Sequence, residues 1–289
     1  MGNKHELSIA LAQLTGSDDD VSTNVKKALA AIEEAAEIGA DLVILPEIYL
    51  TGFPASHRAA EVAFDVQADT EVTELNAVRE TCVDKAISAV VGFAEGSKGG
   101  DGDGGVFNTT IHIDKTGKTI ASYRKTHLFT KESETFSPGD HLVRYGFDLE
   151  AGQGGQVSAG ILVCYDIEFP ETARALAENG LDLLIVPSAN MDTLGDYHRA
   201  FVKARAIENH VFVAYCNRLR EGRDYTYVGH SRIVSPFGRL LADAAQEEQI
   251  IVATINLDEV QEAKEAFNYL KDRRPRLPVR SLPGIRTSC

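Results

Sequence analysis

Three side chains in this 289-residue chain are of the types that acyl transfer through a thiol requires, and each closes a run of apolar residues: Glu47 in DLVILPE, Lys125 in KTIASYRK and Cys164 in GILVC. A cysteine supplies the nucleophile. A carboxylate can take the thiol proton and hand it to a leaving amine, while an ammonium can stabilise the oxyanion formed on the attacked carbonyl. Cysteine as a residue type more often serves as a small buried hydrophobe. Here, Pro170 at a helix start and Glu171 in its first turn bring a helix amino end close, which favours a thiolate. Glu47 follows Pro46 at the end of a buried strand and is expected to point into a semi-buried site. Lys125 is flanked by apolar groups in YRKTHLF. A desolvated lysine there requires an acidic partner, which Glu132 or Glu134 can provide.

The elements that must position these groups alternate along the whole chain. Residues 7–14 read as a strand, 24–39 as an amphipathic helix with a glycine stop, 41–46 as a buried strand, 73–86 as a helix and 89–96 as a strand. VFNTTIHID and KTIASYRK read as paired strands around a turn at 115–117, and the Gly/Asp-rich stretch 98–105 as a mobile hairpin loop. Beyond Cys164 come a helix over 170–179, a strand over 182–187, a helix over 197–209, and strands over 211–217, 230–235 and 250–255. A charged helix follows. This alternation argues for an α/β fold with helix-covered mixed sheets. About a dozen strands are many for one open sheet, so two packed sheets are expected.

No linker or shift in composition divides the chain, so residues 1–289 are expected to form one domain, with 269–289 a Pro/Arg-rich extension running over a surface or a neighbouring subunit. Acidic residues outnumber basic ones 43 to 29, for a net charge of -14, which opposes nucleic-acid and membrane partners. Cys82, Cys164, Cys216 and Cys289 lack ligand-like or disulfide-framework spacing, so free thiols and no zinc site are expected. No apolar run matches a signal peptide or the ~20 residues of a membrane span, and a soluble, cytoplasmic protein is expected.

LPE at 45–47, YRKTHLF at 123–129 with FSPGD at 136–140, and CYDIEFPE at 164–171 closely resemble, in order and separation, the nitrilase superfamily of carbon-nitrogen hydrolases. The resemblance implies a four-layer αββα sandwich whose subunits form a homodimer or higher homo-oligomer through the helix after the cysteine. It implies a catalytic set of Glu47, Lys125 and Cys164, with Glu132 positioning the lysine and substrate, a small-molecule amide substrate, and no metal or organic cofactor. In the implied reaction Cys164 attacks the amide carbon and Glu47 takes its proton. Lys125 and the backbone N–H of Tyr165 hold the oxyanion, and water then hydrolyses the thioester.

Within the superfamily, Cys164-Tyr165-Asp166 and the short chain point to an amidase. Nitrilase, ω-amidase and N-carbamoyl amidohydrolase are the alternatives, and a non-catalytic binding protein on this scaffold is a remote one. Relatives acting on ω-amides tend to carry arginine where this chain has Glu168, which argues for an uncharged or amine-bearing amide unless Glu168 simply pairs with Arg174. Tyr49, Phe53, Tyr165, Asn190 and Met191, with Asp192, occupy strand-end loops where a substrate would lie. Two further rivals are a serine hydrolase built on GHSRI at 229–233 and a redox thiol protein pairing Cys164 with Cys216.

Overall fold

The structure, a computed structural model, describes residues 5–18, 20–66, 72–96, 105–149, 155–274 and 277–278. In its first half, β1 (Glu6–Gln13) leads through α1 (Val21–Glu37) to β2 (Leu42–Ile44). The chain continues through α2 (Ala59–Val62) and α3 (Thr73–Lys85) to β3 (Ser88–Gly96), β4 (Val106–Ile113) and β5 (Thr119–Arg124). In the second half come β6 (Val143–Asp148), β7 (Gln156–Ile161), α4 (Pro170–Glu178), β8 (Leu183–Ser188), α5 (Gly195–Asn209) and β9 (Phe212–Asn217). The ribbon β10 (Leu219–Glu221) and β11 (Thr226–Val228) precedes β12 (Arg232–Val234), β13 (Leu240–Asp243), β14 (Gln249–Asn256), α6 (Asp258–Ala266) and α7 (Tyr269–Asp272).

Two six-stranded sheets result, ordered β14-β1-β2-β3-β4-β5 and β13-β12-β9-β8-β7-β6. Each is mixed, with a parallel centre, β1-β2-β3 in one and β7-β8-β9 in the other, and antiparallel flanks. The period of two explains why the central strands are apolar throughout. Leu7, Ile9 and Leu11 of β1 and Leu42 and Ile44 of β2 pack in one cluster with Val157, Ala159 and Ile161 of the opposite sheet. Their neighbours Ala10, Ala12 and Val43 pack outward against Val25, Ala28 and Ile32 of α1 and Leu75 and Val78 of α3. On the other side α4 and α5 cover the second sheet through Ala173, Leu176, Val202 and Ala206. The four-layer α/β sandwich is therefore the observed architecture.

Several boundaries differ from the sequence reading. The strand before the cysteine ends at Ile161, and the next turn is a short 3-10 helix, Cys164–Glu168. The strand β6 is invisible in the sequence because VRYGFD alternates half-buried with exposed positions and carries arginine, glycine and aspartate. Helix α1 starts at Val21, where the Asp20 carboxylate accepts from Thr23 N at 2.9 Å and caps the first turn. Of the Gly/Asp-rich loop, residues 98–104 lie outside the described residues, as does most of the C-terminal extension. The start of that extension is anchored: Tyr269 N donates to His210 Nε2 at 3.1 Å, and the two rings stack at 5.3 Å. Among the described residues no helix is long and apolar enough to cross a membrane.

Candidate active site

Glu47, Lys125 and Cys164 arrive from three different strand ends, as ligand-binding groups of α/β sheets commonly do. Beyond β2 the chain turns sharply at Ile48, which has φ +49, and Leu50 N donates to Gly92 O at 2.9 Å. Position 92 has to be glycine, since a Cβ there would lie 2.6 Å from Ile48 N. Lys125 directly follows β5; its N–H donates to Asn108 O at 2.9 Å, and its carbonyl accepts from Gly139 N at 2.8 Å. That second contact explains the glycine of FSPGD, because a Cβ at 139 would collide with Arg124 O. Cys164 opens the 3-10 turn at φ +45, a left-handed conformation rare for residues with a side chain and concentrated at functional sites.

The three groups meet in a buried cluster. Lys125 Nζ donates to Glu47 Oε1 at 2.7 Å and to Glu132 Oε1 and Oε2 at 2.9 and 2.8 Å, with the lysine side chain fully buried. Burial opposes its charge, yet Glu132 and Glu47 hold the ammonium well above the usual lysine range. Glu132 is itself pushed up, by burial first and by Glu47, with Lys125 acting against both. The turn that carries Glu132 is closed by Phe129 N donating to Glu132 Oε2 at 2.8 Å. Asn108 Nδ2 also donates to Glu47 Oε1, at 2.8 Å. The second oxygen of Glu47, Oε2, is buried and has no hydrogen-bond partner.

Cys164 corrects one expectation. Burial, followed by the Glu47 carboxylate, raises its thiol well above the usual range, against the smaller opposing effect of Lys125. The helix α4 begins only at Pro170, beyond the 3-10 turn, so its amino end does not hold a thiolate here. The resting nucleophile is a neutral thiol beside a carboxylate.

A cavity of about 510 Å³ opens above these groups, with Glu47, Glu132 and Cys164 on its wall. Phe53, Tyr165, Glu168, Asn190 and Met191 line it. Tyr49 does not. Its ring is buried on the helix side of the first sheet and its hydroxyl donates to Thr15 O at 2.9 Å, because the turn at Ile48 sends it back toward the core. Asp192 is exposed and accepts from Thr193 N at 2.8 Å, outside the cavity lining. Arg174 lies within 3.6 Å of Glu208 and donates to its carbonyl at 2.6 Å, so it is not the partner of Glu168.

Glu168 instead pairs with His198, Oε1 to Nε2 at 3.0 Å. His198 Nδ1 meets Tyr215 Oη at 3.0 Å, and Ser188 Oγ donates to Tyr215 Oη at 3.1 Å. Ser188, Tyr215 and His198 thus form a buried chain of hydrogen bonds that ends at a carboxylate on the cavity wall. None of Ser188, Tyr215 and His198 was singled out from sequence. The signal for Ser188 is its place at the carboxyl end of β8, the side of the sheets on which the reacting groups also lie.

Neither rival fits this geometry. Ser231 is fully buried and hydrogen-bonded to Asn217 at 2.9 Å. Cys216 is buried and directs its thiol to Ala12 O at 3.4 Å, facing the first sheet. No group of three or more potential metal ligands lies together among the described residues.

Asp166, which in the sequence marks the amidase branch, locks the lysine loop to the cysteine turn. Its carboxylate accepts from Tyr123 Oη (2.8 Å), Thr126 Oγ1 (2.9 Å), His127 N (2.9 Å) and Val163 N (3.0 Å), and meets His127 Nδ1 at 2.9 Å. The aspartate raises the His127 pKa above its usual 6.5, chiefly through that hydrogen bond, with burial opposing. The Asp166→Asn variant turns one acceptor oxygen into a donor among donors. It is expected to lose about 2–3 kcal/mol in urea unfolding and on the order of tenfold in kcat with KM little changed. A histidine whose folded pKa is raised stabilises below its unfolded pKa and loses that contribution as pH climbs through the folded value. This component of the stability profile, above about pH 6.5, should vanish in the variant.

Comparison with known proteins places this geometry in context. A sequence model described as carbon-nitrogen hydrolase matches residues 8–265. An (R)-stereoselective amidase from a Pseudomonas species is 39% identical over 269 residues, which is 93% of this chain and 92% of that protein. Among solved structures, Saccharomyces cerevisiae Nit3, a member of branch 10 of the nitrilase superfamily, superposes with a TM-score of 0.82 at 29% identity, covering 94% of this chain and 99% of its own. A glutamate-to-glutamine mutant of the amidase from Nesterenkonia sp. AN1 superposes at 0.77 with 28% identity, over 94% of this chain and 95% of that one. It carries the acetamide moiety of fluoroacetamide covalently at its active site cysteine.

Proposed function

The chain belongs to the carbon-nitrogen hydrolase family, and from that premise we propose that it is an amidase converting small carboxamides and water to carboxylic acids and ammonia through a thioester on Cys164. The observation that carries this reading is the free Oε2 of Glu47, a buried carboxylate oxygen without a donor beside a buried, neutral thiol. An unpartnered buried acceptor is costly, and here it is the base that the nucleophile requires.

Cys164 Sγ adds to the amide carbon as its proton passes to Glu47 Oε2. Lys125 has three donor hydrogens; one serves Glu47 and one is shared between the two oxygens of Glu132. The third, with the backbone N–H of Tyr165, holds the oxyanion. Collapse of the tetrahedral adduct breaks the C–N bond, and Glu47 returns the proton to the departing ammonia. Water then adds to the thioester with Glu47 as base, and the acid leaves as the thiol is re-formed. Glu132 fixes the lysine in place throughout. The family resemblance supports a homodimer formed through α4, and buried, unpaired Cys82, Cys164 and Cys216 accord with a cytoplasmic setting; both belong to the same proposal.

Ammonia release from propionamide, propionitrile, glutaramate and an N-carbamoyl amine tests the reading. Propionamide is expected to be turned over fastest. A faster nitrile or carbamoyl substrate would leave the thiol chemistry standing and overturn the assignment to amides.

A further inference from the structure

We propose that the amide this site takes carries a protonated amine roughly three bonds from the carboxamide carbon, and that Glu168, held by His198, recognises it. The inference rests on the amidase reading and narrows its substrate.

Glu168 lies on the cavity wall with its side chain 21% exposed. Oε1 is tied to His198 at 3.0 Å, whereas among the described residues no hydrogen bond is made to Oε2, on a side chain that lines the cavity. The direction of the hydrogen bonds keeps it an acceptor. Ser188 donates to Tyr215, so the phenolic hydrogen serves His198 Nδ1, and the hydrogen on Nε2 serves Glu168. The Tyr215 hydroxyl stays protonated, since burial raises it well above its usual range. The carboxylate is thus oriented by a buried scaffold and retains one oxygen for a ligand, the arrangement that selects a charged donor.

The charges around it point the same way. Lys125 is committed to Glu47 and Glu132, and Arg218 to Asp18 at 2.5 Å. Arg223 donates to Phe53 O at 3.0 Å and through its backbone to Asp18 at 2.7 Å. Among the described residues that line the cavity, the cations Lys131 and Arg223 are exposed, so beside Glu168 a substrate carboxylate meets a like charge, whereas an ammonium meets its complement. The spacing follows from the turn. Cys164 and Glu168 are the first and last residues of one 3-10 helix, and at ~2 Å of rise per residue their Cα atoms stand roughly 8 Å apart along the axis. A carboxamide carbon over the sulfur and an amine a few bonds away span that gap between the two side chains.

The test uses three amides of one backbone length: 3-aminopropanamide, butanamide and succinamate, assayed by ammonia release with the wild-type protein and Glu168→Gln. The expected wild-type order of kcat/KM is 3-aminopropanamide, butanamide, succinamate, with on the order of tenfold between the first two. In E168Q that preference should fall to about parity while butanamide hydrolysis persists. Wild-type turnover of butanamide equal to or faster than that of 3-aminopropanamide overturns the proposal and leaves the amidase reading intact, and this arm decides even if E168Q folds poorly. An amine preference that survives in well-folded E168Q overturns the role of Glu168. Hydrolysis of none of the three amides ends both readings.

Discussion

Replacing Cys164 with alanine is expected to lower ammonia release by about 10⁴-fold or more while leaving the fold in place. Loss on this scale follows because no other described thiol can substitute: Cys82 and Cys216 are each fully buried elsewhere in the core. The stability change should be small, about 1 kcal/mol, since the substitution removes a single sulfur at a site that adjoins a cavity. Alanine keeps the strain of φ +45, so the turn should not relax into a different shape. Ammonia release and the urea midpoint, measured on the same preparation, separate the two effects. A C164A protein retaining more than a few per cent of activity would refute thioester chemistry at this residue.

Lys125→Met is expected to abolish activity and also to destabilise the protein by about 3–5 kcal/mol at neutral pH. The lysine is the shared counter-ion of two buried carboxylates, and methionine fills its volume without its charge. Glu132 is raised by burial and Glu47 even with the ammonium present. Without the ammonium, which acts against both causes, Glu132 should be raised further above the usual glutamate value of 4.5. The sign then follows from linkage: groups whose folded pKa is raised stabilise below the unfolded pKa and lose that contribution as pH rises through the folded one. The variant should therefore approach wild-type stability near pH 4 and fall away from it toward pH 7. Urea titrations at several pH values measure this, and a deficit independent of pH would mean that packing, not charge, explains the loss.

The reacting groups were legible in the sequence because each ends an apolar run, and a charged or nucleophilic side chain at such a place has few structural reasons to be there. The layers were legible for the same reason: strands such as ALAQL and LVILP are apolar on both faces and need cover on both. The supporting groups were not. Asp166 touches Tyr123, Thr126 and His127, and Glu168 touches His198, across separations that no local period encodes. Tyr49 misled for a related reason, since a single left-handed residue at Ile48 reverses which face the following aromatic meets. Backbone handedness at a non-glycine position leaves no mark in composition or spacing.

The pairing of β1 with β14, Glu6 opposite Asn256 and Gln13 opposite Gln249, has a consequence for how the molecule is made. β1 is synthesised well before its antiparallel neighbour β14, so this flank of the sheet next to β2 stays open until β14 has been made. Closing it pairs residues 6–13 with residues 249–256, a non-local step of the kind that slows folding. The apolar rim of β1 remains available to other chains in the meantime. The protein is thus most exposed to aggregation before β14 arrives, and a truncation that removes β14 should damage solubility more than its distance from the reacting groups suggests.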